Sequence, residues 1–442
     1  MQKNDIVEIK ITGMTDEGSG VGRCENIAVF VPYALLGETV KVHIIKVNKS
    51  YCIGKLIEVI TPSENRVKAD CEYFYRCGGC SYRNVSYEEE LSYKFNQVKD
   101  AIERIGKIKT NILPVLGGDR CSYRNKAQFP VCESGAGLYA RHSHRVIDTD
   151  NCIIQNGDSV KILNAVKDFM REYGVSGYNE ETHSGDIRNI YTRTGGGKTL
   201  VCIVTLTENL PYKKELIEKL ESLDVPLWGI LQNINPNRTN VVLGKEMQLL
   251  FGQDFMYDNI GDFKFKISPL SFYQVNPAQT RVLYDTVKKF LGNIDNETVW
   301  DLYCGTGTIG QYAASKAKRL IGVEIISEAV INAEENAKLN GIKNCKYYTG
   351  AAEALAPKLV REGGKPSAVI LDPPRKGCDK KLLDAVVSVS PEKIVYVSCK
   401  ASTLARDMAY LKEKGYECQI LQPVDMFPGT CHVECVVQLC RK

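Results

Sequence analysis

Asp301-Leu-Tyr-Cys-Gly305-Thr-Gly307-Thr-Ile-Gly310 follows an apolar run that begins at Thr298 and leads into a helical pattern over 310–318. Its glycines reproduce G-x-G-x-x-G, a strand-to-helix turn whose bare backbone can approach a bound nucleotide closely. Glu324 ends the next apolar strand, 319–324, at the spacing where a carboxylate takes two ribose hydroxyls. The turn by itself fits NAD, FAD or S-adenosylmethionine. Two neighbours favour the methyl donor. Asp301 closes the first strand, and Leu371-Asp372-Pro373-Pro374 closes a later one with a rigid proline loop at the sheet's carboxyl edge. Strand and helix patterns alternate from about Phe263 onward, with a helix over 327–340 and strands over 298–303, 368–371, 393–397 and 433–439. This is the pattern of a doubly wound α/β domain.

The chain upstream reads differently. Residues 1–60 carry short alternating strands, 6–11, 27–31, 39–45 and 51–60, broken by Asp16-Glu-Gly-Ser-Gly-Val-Gly22, which predicts a small barrel of the OB type. Lys41, Lys46, Lys49 and Lys55 give that barrel positive charge. A charged helical pattern follows from about Tyr87 to Ile105. Residues 116–255 read as an α+β region with a strand over 200–206 and an amphipathic helix over 161–173. With 442 residues the chain holds two or three domains, and a net charge of only +4 puts any nucleic-acid contact on local patches. No apolar stretch reaches membrane-spanning length and no signal peptide is evident, so a cytoplasmic, membrane-free protein is expected. In a reducing compartment its 17 cysteines are not a disulfide framework.

Some cysteines have ligand or catalytic settings. Cys71-x5-Cys77-Gly-Gly-Cys80 offers three thiolates, and Cys152 is a candidate fourth. Four thiolates suit zinc or a [4Fe–4S] centre, and a single C-x2-C pair leans towards iron–sulfur. Val395-Tyr-Val-Ser398-Cys399-Lys400 sets a cysteine just past an apolar strand, with Lys400 and Arg375 as candidate activating cations. Glu434 opens the final apolar strand in His432-Val-Glu-Cys-Val-Val, where a carboxylate lies either at an exposed edge or in a cleft. Asp372-Pro-Pro-Arg375 lacks the aromatic of amino-methyltransferase loops, which leaves carbon methylation open. Phe272 and Gln274 can stack on a base and read its edge. Arg120, Arg124 and Lys126, with Arg141 and Arg145, are candidate phosphate contacts. An iron–sulfur oxidoreductase is the rival enzyme class, although no second cofactor site is evident. A non-catalytic RNA-binding protein is the other rival, and intact Cys399, Glu434 and Asp372 argue against it.

Taken together, these motifs resemble, over nearly the whole chain, the bacterial RNA (uracil-C5)-methyltransferases of the 23S rRNA type. Tyr123-Arg-Asn-Lys126, Phe272-Tyr-Gln-Val-Asn276, Asp301-Leu-Tyr-Cys-Gly305, Asp372-Pro-Pro-Arg375, Ser398-Cys399 and His432-Val-Glu434 carry the likeness, with the barrel and the four cysteines. The resemblance implies a TRAM domain over 1–60 and a central iron–sulfur and RNA-binding domain over 61–255. Within the latter, a helix near 84–115 would pack on the catalytic domain, an S-adenosylmethionine-dependent methyltransferase over 256–442. It implies a [4Fe–4S] cluster on Cys71, Cys77, Cys80 and Cys152. It implies methyl-donor contacts at Gln274, Tyr303, Gly305, Thr308, Glu324 and Asp372, and substrate contacts at Phe272, Gln274, Arg124 and Lys126. Cys399 would add to C6 of a flipped uridine in 23S rRNA, and Glu434 would remove the C5 proton after methyl transfer. The T-loop uridine of tRNA is the alternative substrate, and the protein is expected to act as a monomer. The family pattern often has an acidic or amide residue where Ala351 stands, so an adenine contact there is not carried over.

Overall fold

The computed structural model describes residues 1–442, apart from the surroundings of Gly363. Five strands, β1 (Ile6–Met14), β2 (Ser19–Cys24), β3 (Ile27–Pro32), β4 (Thr39–Val47) and β5 (Tyr51–Thr61), close into a barrel ordered β1-β2-β3-β5-β4. Alternate residues Ile9, Ile11, Val29, Val31, Val40 and Val42 fill it, as a period of two requires. The four lysines noted above lie on its exposed surface.

Ser86-Tyr-Glu-Glu89 starts the next helix, α1 (Tyr87–Asp100). Ser86 Oγ accepts from the Glu89 amide at 3.4 Å, and three glutamates in the first turn suit the helix dipole. A π-turn over Ala101–Ile105 continues it. Val98, Ala101, Ile102 and Ile108 bury themselves in the same core as Trp300, Leu371, Tyr396 and Leu404. The N-terminal helix is therefore a layer of the C-terminal α/β unit, and each of its large apolar side chains contributes roughly 1.5–3 kcal/mol there.

The central region is one seven-stranded sheet: β6 (Lys126–Cys132), β7 (Gly135–Tyr139), β8 (Val146–Asp148), β9 (Ile187–Gly195), β10 (Lys198–Thr205), β11 (Leu227–Ile234) and β12 (Glu246–Gly252), ordered β12-β11-β10-β9-β6-β7-β8. α2 (Gly157–Tyr173) and α3 (Lys213–Glu221) cover one face through Phe169, Val166, Leu216 and Leu220. The hairpin β13 (Met256–Ile260) and β14 (Phe263–Ile267) packs into the C-terminal core.

That C-terminal unit runs α4 (Pro277–Leu291), β15 (Thr298–Leu302), α5 (Thr308–Ala314), β16 (Arg319–Glu324), α6 (Ser327–Leu339), β17 (Cys345–Thr349), α7 (Ala352–Gly363), β18 (Ala368–Leu371), α8 (Lys380–Val389), β19 (Lys393–Ser398), α9 (Ala401–Glu413), β20 (Tyr416–Val424) and β21 (Glu434–Arg441). Its sheet is ordered β17-β16-β15-β18-β19-β21-β20. All neighbours are parallel except β21, which runs antiparallel to both β19 and β20. The reversal brings the start of β21 to the carboxyl edge of the parallel strands, where open α/β sheets bind ligands.

Candidate active site

The turn after β15 is built for close backbone approach. Gly307, at φ 79°, caps α5 in a left-handed conformation. A Cβ on Gly310 would fall 2.6 Å from Asp301 Oδ2, the atom that accepts the Gly310 amide at 3.0 Å. Tyr303 also sits at positive φ, 65°, a cost that a non-glycine residue bears where surrounding structure fixes it. Glu324, at the end of β16, accepts from the Gly305 amide at 3.1 Å and from the Ile325 and Ile326 amides at 2.8 and 3.0 Å. Thr308 Oγ1 lies 2.8 Å from the hydroxyl of the buried Tyr284.

Sheet register assembles the chemical centre. Ser398 pairs with Cys435 across β19 and β21, so Cys399 and Glu434 are the next residues at the same edge. Leu371 pairs with Tyr396, which brings Asp372 to that edge as well. Burial pushes the Asp372 carboxyl up to about 7. Burial first, then the neighbouring Asp372, pushes Glu434 up to about 8 against the pull of Arg375. Cys399 rises to about 11 through burial, then Glu434, then Asp372, with Arg375 again opposing. Of the two cations expected to activate this thiol, only Arg375 acts on it, and it is outweighed. Asp301 is pushed up to about 8 by burial and by Asp372, and its Oδ1 has no protein partner. Three carboxyls and a thiol thus cluster at one poorly solvated sheet edge, a setting that places carboxyl proton exchange near neutral pH. Glu434 is buried, so the choice between exposed edge and cleft falls to the cleft.

Sequence reading missed Tyr284. Its hydroxyl touches Thr308, and it senses Asp372, Asp301 and Glu434. It stands on α4 among Leu283 and Val287 at ordinary core spacing, so no sequence signal marks it.

Cys399, Arg375, Lys400, Thr430 and His432 line a cleft of about 790 Å³ that reaches Gly78 and Gly79 of the cysteine loop, Asp16 and Glu17 of the barrel, and residues 138–144. Phe272, Gln274, Arg124 and Lys126 are not among its lining residues. Phe272 is 70% exposed on a loop fixed by buried Arg193, which donates to the carbonyls of Ser268, Ser271 and Tyr273. Gln274 is buried. Lys126 is half-buried beneath Arg193 and Arg124, and burial with their charge lowers it to about 8, so it is a weaker phosphate ligand than a free lysine. Arg141 lines the cleft and donates through Nη2 to the Glu17 carbonyl of the barrel at 2.7 Å.

The four predicted ligand cysteines converge from 71–80 and 152, and every pair among them is close enough for charge to be felt. Cys71 and Cys77 pack with Tyr73 and Leu138, and Cys80 and Cys152 with Tyr123 and Leu138. Among the described residues, no group of three or more His, Cys, Asp or Glu side chains is arranged to hold a metal ion.

The comparisons with known proteins fix the family. The tRNA (uracil-5-)-methyltransferase family model matches residues 86–442, and the TRAM domain model matches residues 2–57. The chain is 45% identical to an uncharacterized RNA methyltransferase of Halalkalibacterium halodurans, over 99% of this chain and 98% of that one. It is 45% identical to another from Clostridium tetani, over 99% and 96%. Its fold is similar to the crystal structure of Pyrococcus abyssi tRNA (uracil-54, C5)-methyltransferase in complex with S-adenosyl-L-homocysteine, with TM-score 0.81, 25% identity, and 98% and 99% of the two chains covered. The chain belongs to the RNA (uracil-5-)-methyltransferase family and is an S-adenosylmethionine-dependent enzyme of that family. No helix is long and apolar enough to cross a membrane.

Proposed function

We propose that the enzyme methylates C5 of a uridine in 23S rRNA through a covalent adduct between Cys399 Sγ and C6. The carrying observation is the convergence of Cys399, Glu434 and Asp372 at one sheet edge, close enough that burial, Glu434 and Asp372 raise the proton affinity of the thiol. C5 of uracil is a weak nucleophile. Addition of the thiolate to C6 makes C4–C5 an enolate, which attacks the sulfonium methyl. The C5 proton then passes to Glu434, and the C6–S bond breaks to release the thiolate. Asp372 holds base and methyl donor in register. A thiol pushed up to about 11 is mostly protonated at neutral pH. Arg375 and the incoming cationic sulfonium, set against Asp372 and Glu434, supply the opposing charge that favours thiolate, the thiol proton leaving to solvent through the cleft that Cys399 lines.

For the methyl donor, Tyr303, Gly305 and Thr308 line the turn and Glu324 takes the ribose. Gln274 and Asp372 complete the set. Ile325 and Ile326, 69% and 58% exposed beside Glu324, offer an apolar flank to the adenine. Phe272 is the stacking surface for a base, and Arg124 and Lys126 face the RNA backbone, Lys126 with a lowered proton affinity. The four converging thiols suit a [4Fe–4S] cluster, with Cys71, Cys77, Cys80 and Cys152 as ligands, which would tie residues 71–80 to 152.

A second reading, a tRNA substrate, is favoured by the Pyrococcus abyssi likeness. That tRNA enzyme covers 98% of this chain, barrel included, so the barrel by itself does not separate the two substrates. The discriminating experiment gives full-length enzyme a 23S rRNA fragment set and an unmodified tRNA, with methyl groups mapped by mass. Methylation of tRNA alone overturns the rRNA assignment, and methylation of neither at uridine C5 overturns the mechanism.

A further inference from the structure

Two clefts meet at one hairpin. The first, about 790 Å³, holds Cys399. The second, about 510 Å³, is lined by Arg145, Tyr178 and Arg188. Tyr139 and His144 line both. Their rings are stacked, with centroids 5.5 Å apart and planes at 28°. Tyr139 is 43% exposed and the His144 side chain 53%, so the stack serves no core. It is nonetheless held in place, because Glu180 sits 2.8 Å from His144 Nδ1. Beyond it the Arg188 guanidinium lies 4.4 Å over the Tyr178 ring, with its Nη1 donating to the Asn235 and Asn237 carbonyls.

We propose that single-stranded RNA flanking the target uridine leaves the Cys399 cleft across the Tyr139–His144 stack and continues into the second cleft, one flanking base stacking on that pair. This rests on the RNA reading of the Cys399 site and adds the path of the strand. The occupant follows from continuity with the catalytic cleft and from the lining. An exposed, pre-ordered aromatic pair between two clefts is a stacking platform for bases of any sequence. Arg375 and Lys400 at one end and Arg145 at the other are exposed cations for phosphates. The same walls carry Asp16, Glu17, Glu133, Glu180 and Glu181, so this is no polycationic track. Stacking, not charge, must therefore dominate affinity along it. With three exposed cations the salt dependence should be shallow, with a slope of about 2 at roughly 0.7 per phosphate.

The test uses full-length protein and a 20-nucleotide oligoadenylate with one central uridine, with binding read by fluorescence anisotropy. Tyr139→Ala should weaken binding at least fivefold, as loss of a stacked base worth about 1–3 kcal/mol requires. Tyr139→Phe should stay within twofold of wild type. Arg145→Ala should lower the salt slope by about 0.7. Annealing the oligomer to its complement should abolish the difference between wild type and Tyr139→Ala, because paired bases cannot offer a face. Equal affinity of Tyr139→Ala and wild type for the single strand, at an unchanged melting temperature, overturns the path while leaving the RNA reading intact. If Tyr139→Ala melts early, Tyr139→Leu, of similar volume but without a ring, decides by the same criterion. Failure of the wild type to bind any single-stranded RNA overturns the proposal together with the reading beneath it.

Discussion

Replacing Glu434 with glutamine should abolish turnover and, above neutral pH, make the protein more stable. The carboxyl is buried and pushed from its ordinary value of 4.5 up to about 8. Between those values the folded state holds a proton that the unfolded chain has released, so stability falls as pH rises through that window. The difference, at about 1.4 kcal/mol for each tenfold change in proton affinity, comes to roughly 5 kcal/mol by pH 9. Relaxation and water entry around a buried carboxylate reduce this, and half of it still corresponds to about 5–10 °C in a unit of this size. Asp372 and Asp301 titrate in both proteins, so the difference between them reports the carboxyl at position 434 together with its coupling to Asp372. The assay is thermal unfolding of wild type and Glu434→Gln at pH 5, 7 and 9. The two should coincide at pH 5 and separate progressively to pH 9, with the glutamine variant higher. Denaturing gels of the same variant with RNA should retain a methylated adduct, since elimination waits on the C5 proton. Parallel melting curves across the whole range would refute the account of Glu434 as a buried, proton-exchanging group.

Cys399→Ser should lose methyl transfer entirely while binding S-adenosylmethionine within about twofold of wild type by calorimetry, because a hydroxyl is a far weaker nucleophile towards C6; wild-type turnover would exclude the adduct. Lys94→Met should cost about 3–5 kcal/mol in urea unfolding, since buried Lys94 lies 2.7 Å from both Glu90 and Asp425 and its loss strands two buried carboxylates; a cost below about 1 kcal/mol would show that the site rehydrates. Anaerobically purified protein should be brown, with about four irons, and Cys77→Ser should lose both colour and metal; zinc without iron in the wild type would rule out the cluster.

What the sequence made legible was local. The β15 turn, its glycines and Glu324 lie within one βαβ unit, and short-range apolar periodicity finds such units. The barrel was legible for the same reason, through β1, β3, β4 and β5, whereas β2 (Ser19–Cys24) lies in the glycine-rich stretch read as a turn. The neighbourhood of Cys399 and Glu434 was not, because it depends on β21 inserting antiparallel between β19 and β20, a pairing no local pattern specifies. The charge around Cys399 was not legible for a related reason. Lys400 is adjacent in sequence but exposed, whereas Asp372 and Glu434 are distant in sequence and near in space. Basic residues read as free phosphate contacts were the least legible. Arg141 spends its Nη2 on the Glu17 carbonyl of the barrel and Lys126 is crowded by Arg193, and both facts arise only once three regions pack together.

The loop leading into Glu434 shows how those regions act on the chemistry. The Gly429 carbonyl accepts from the Ser81 and Tyr82 amides at 2.8 and 2.9 Å, immediately after Cys80. The Gly429 amide donates to Glu90 of α1 at 2.6 Å, and the Pro428 carbonyl accepts from the Tyr123 hydroxyl at 3.0 Å. Asp425 at the loop's start takes Lys94 and the Tyr87 hydroxyl, at 2.7 and 2.9 Å. The cysteine loop, the N-terminal helix and the central region all grip one short segment that ends at the catalytic edge. Each such bond is worth only about 1 kcal/mol, and they add to the burial of Met426 and Val433 and to the bond from the Asn276 amide to the Met426 carbonyl. Order in the cysteine loop is therefore order in the approach to Glu434, and a cluster that rigidified residues 71–80 would influence proton removal without ever transferring an electron.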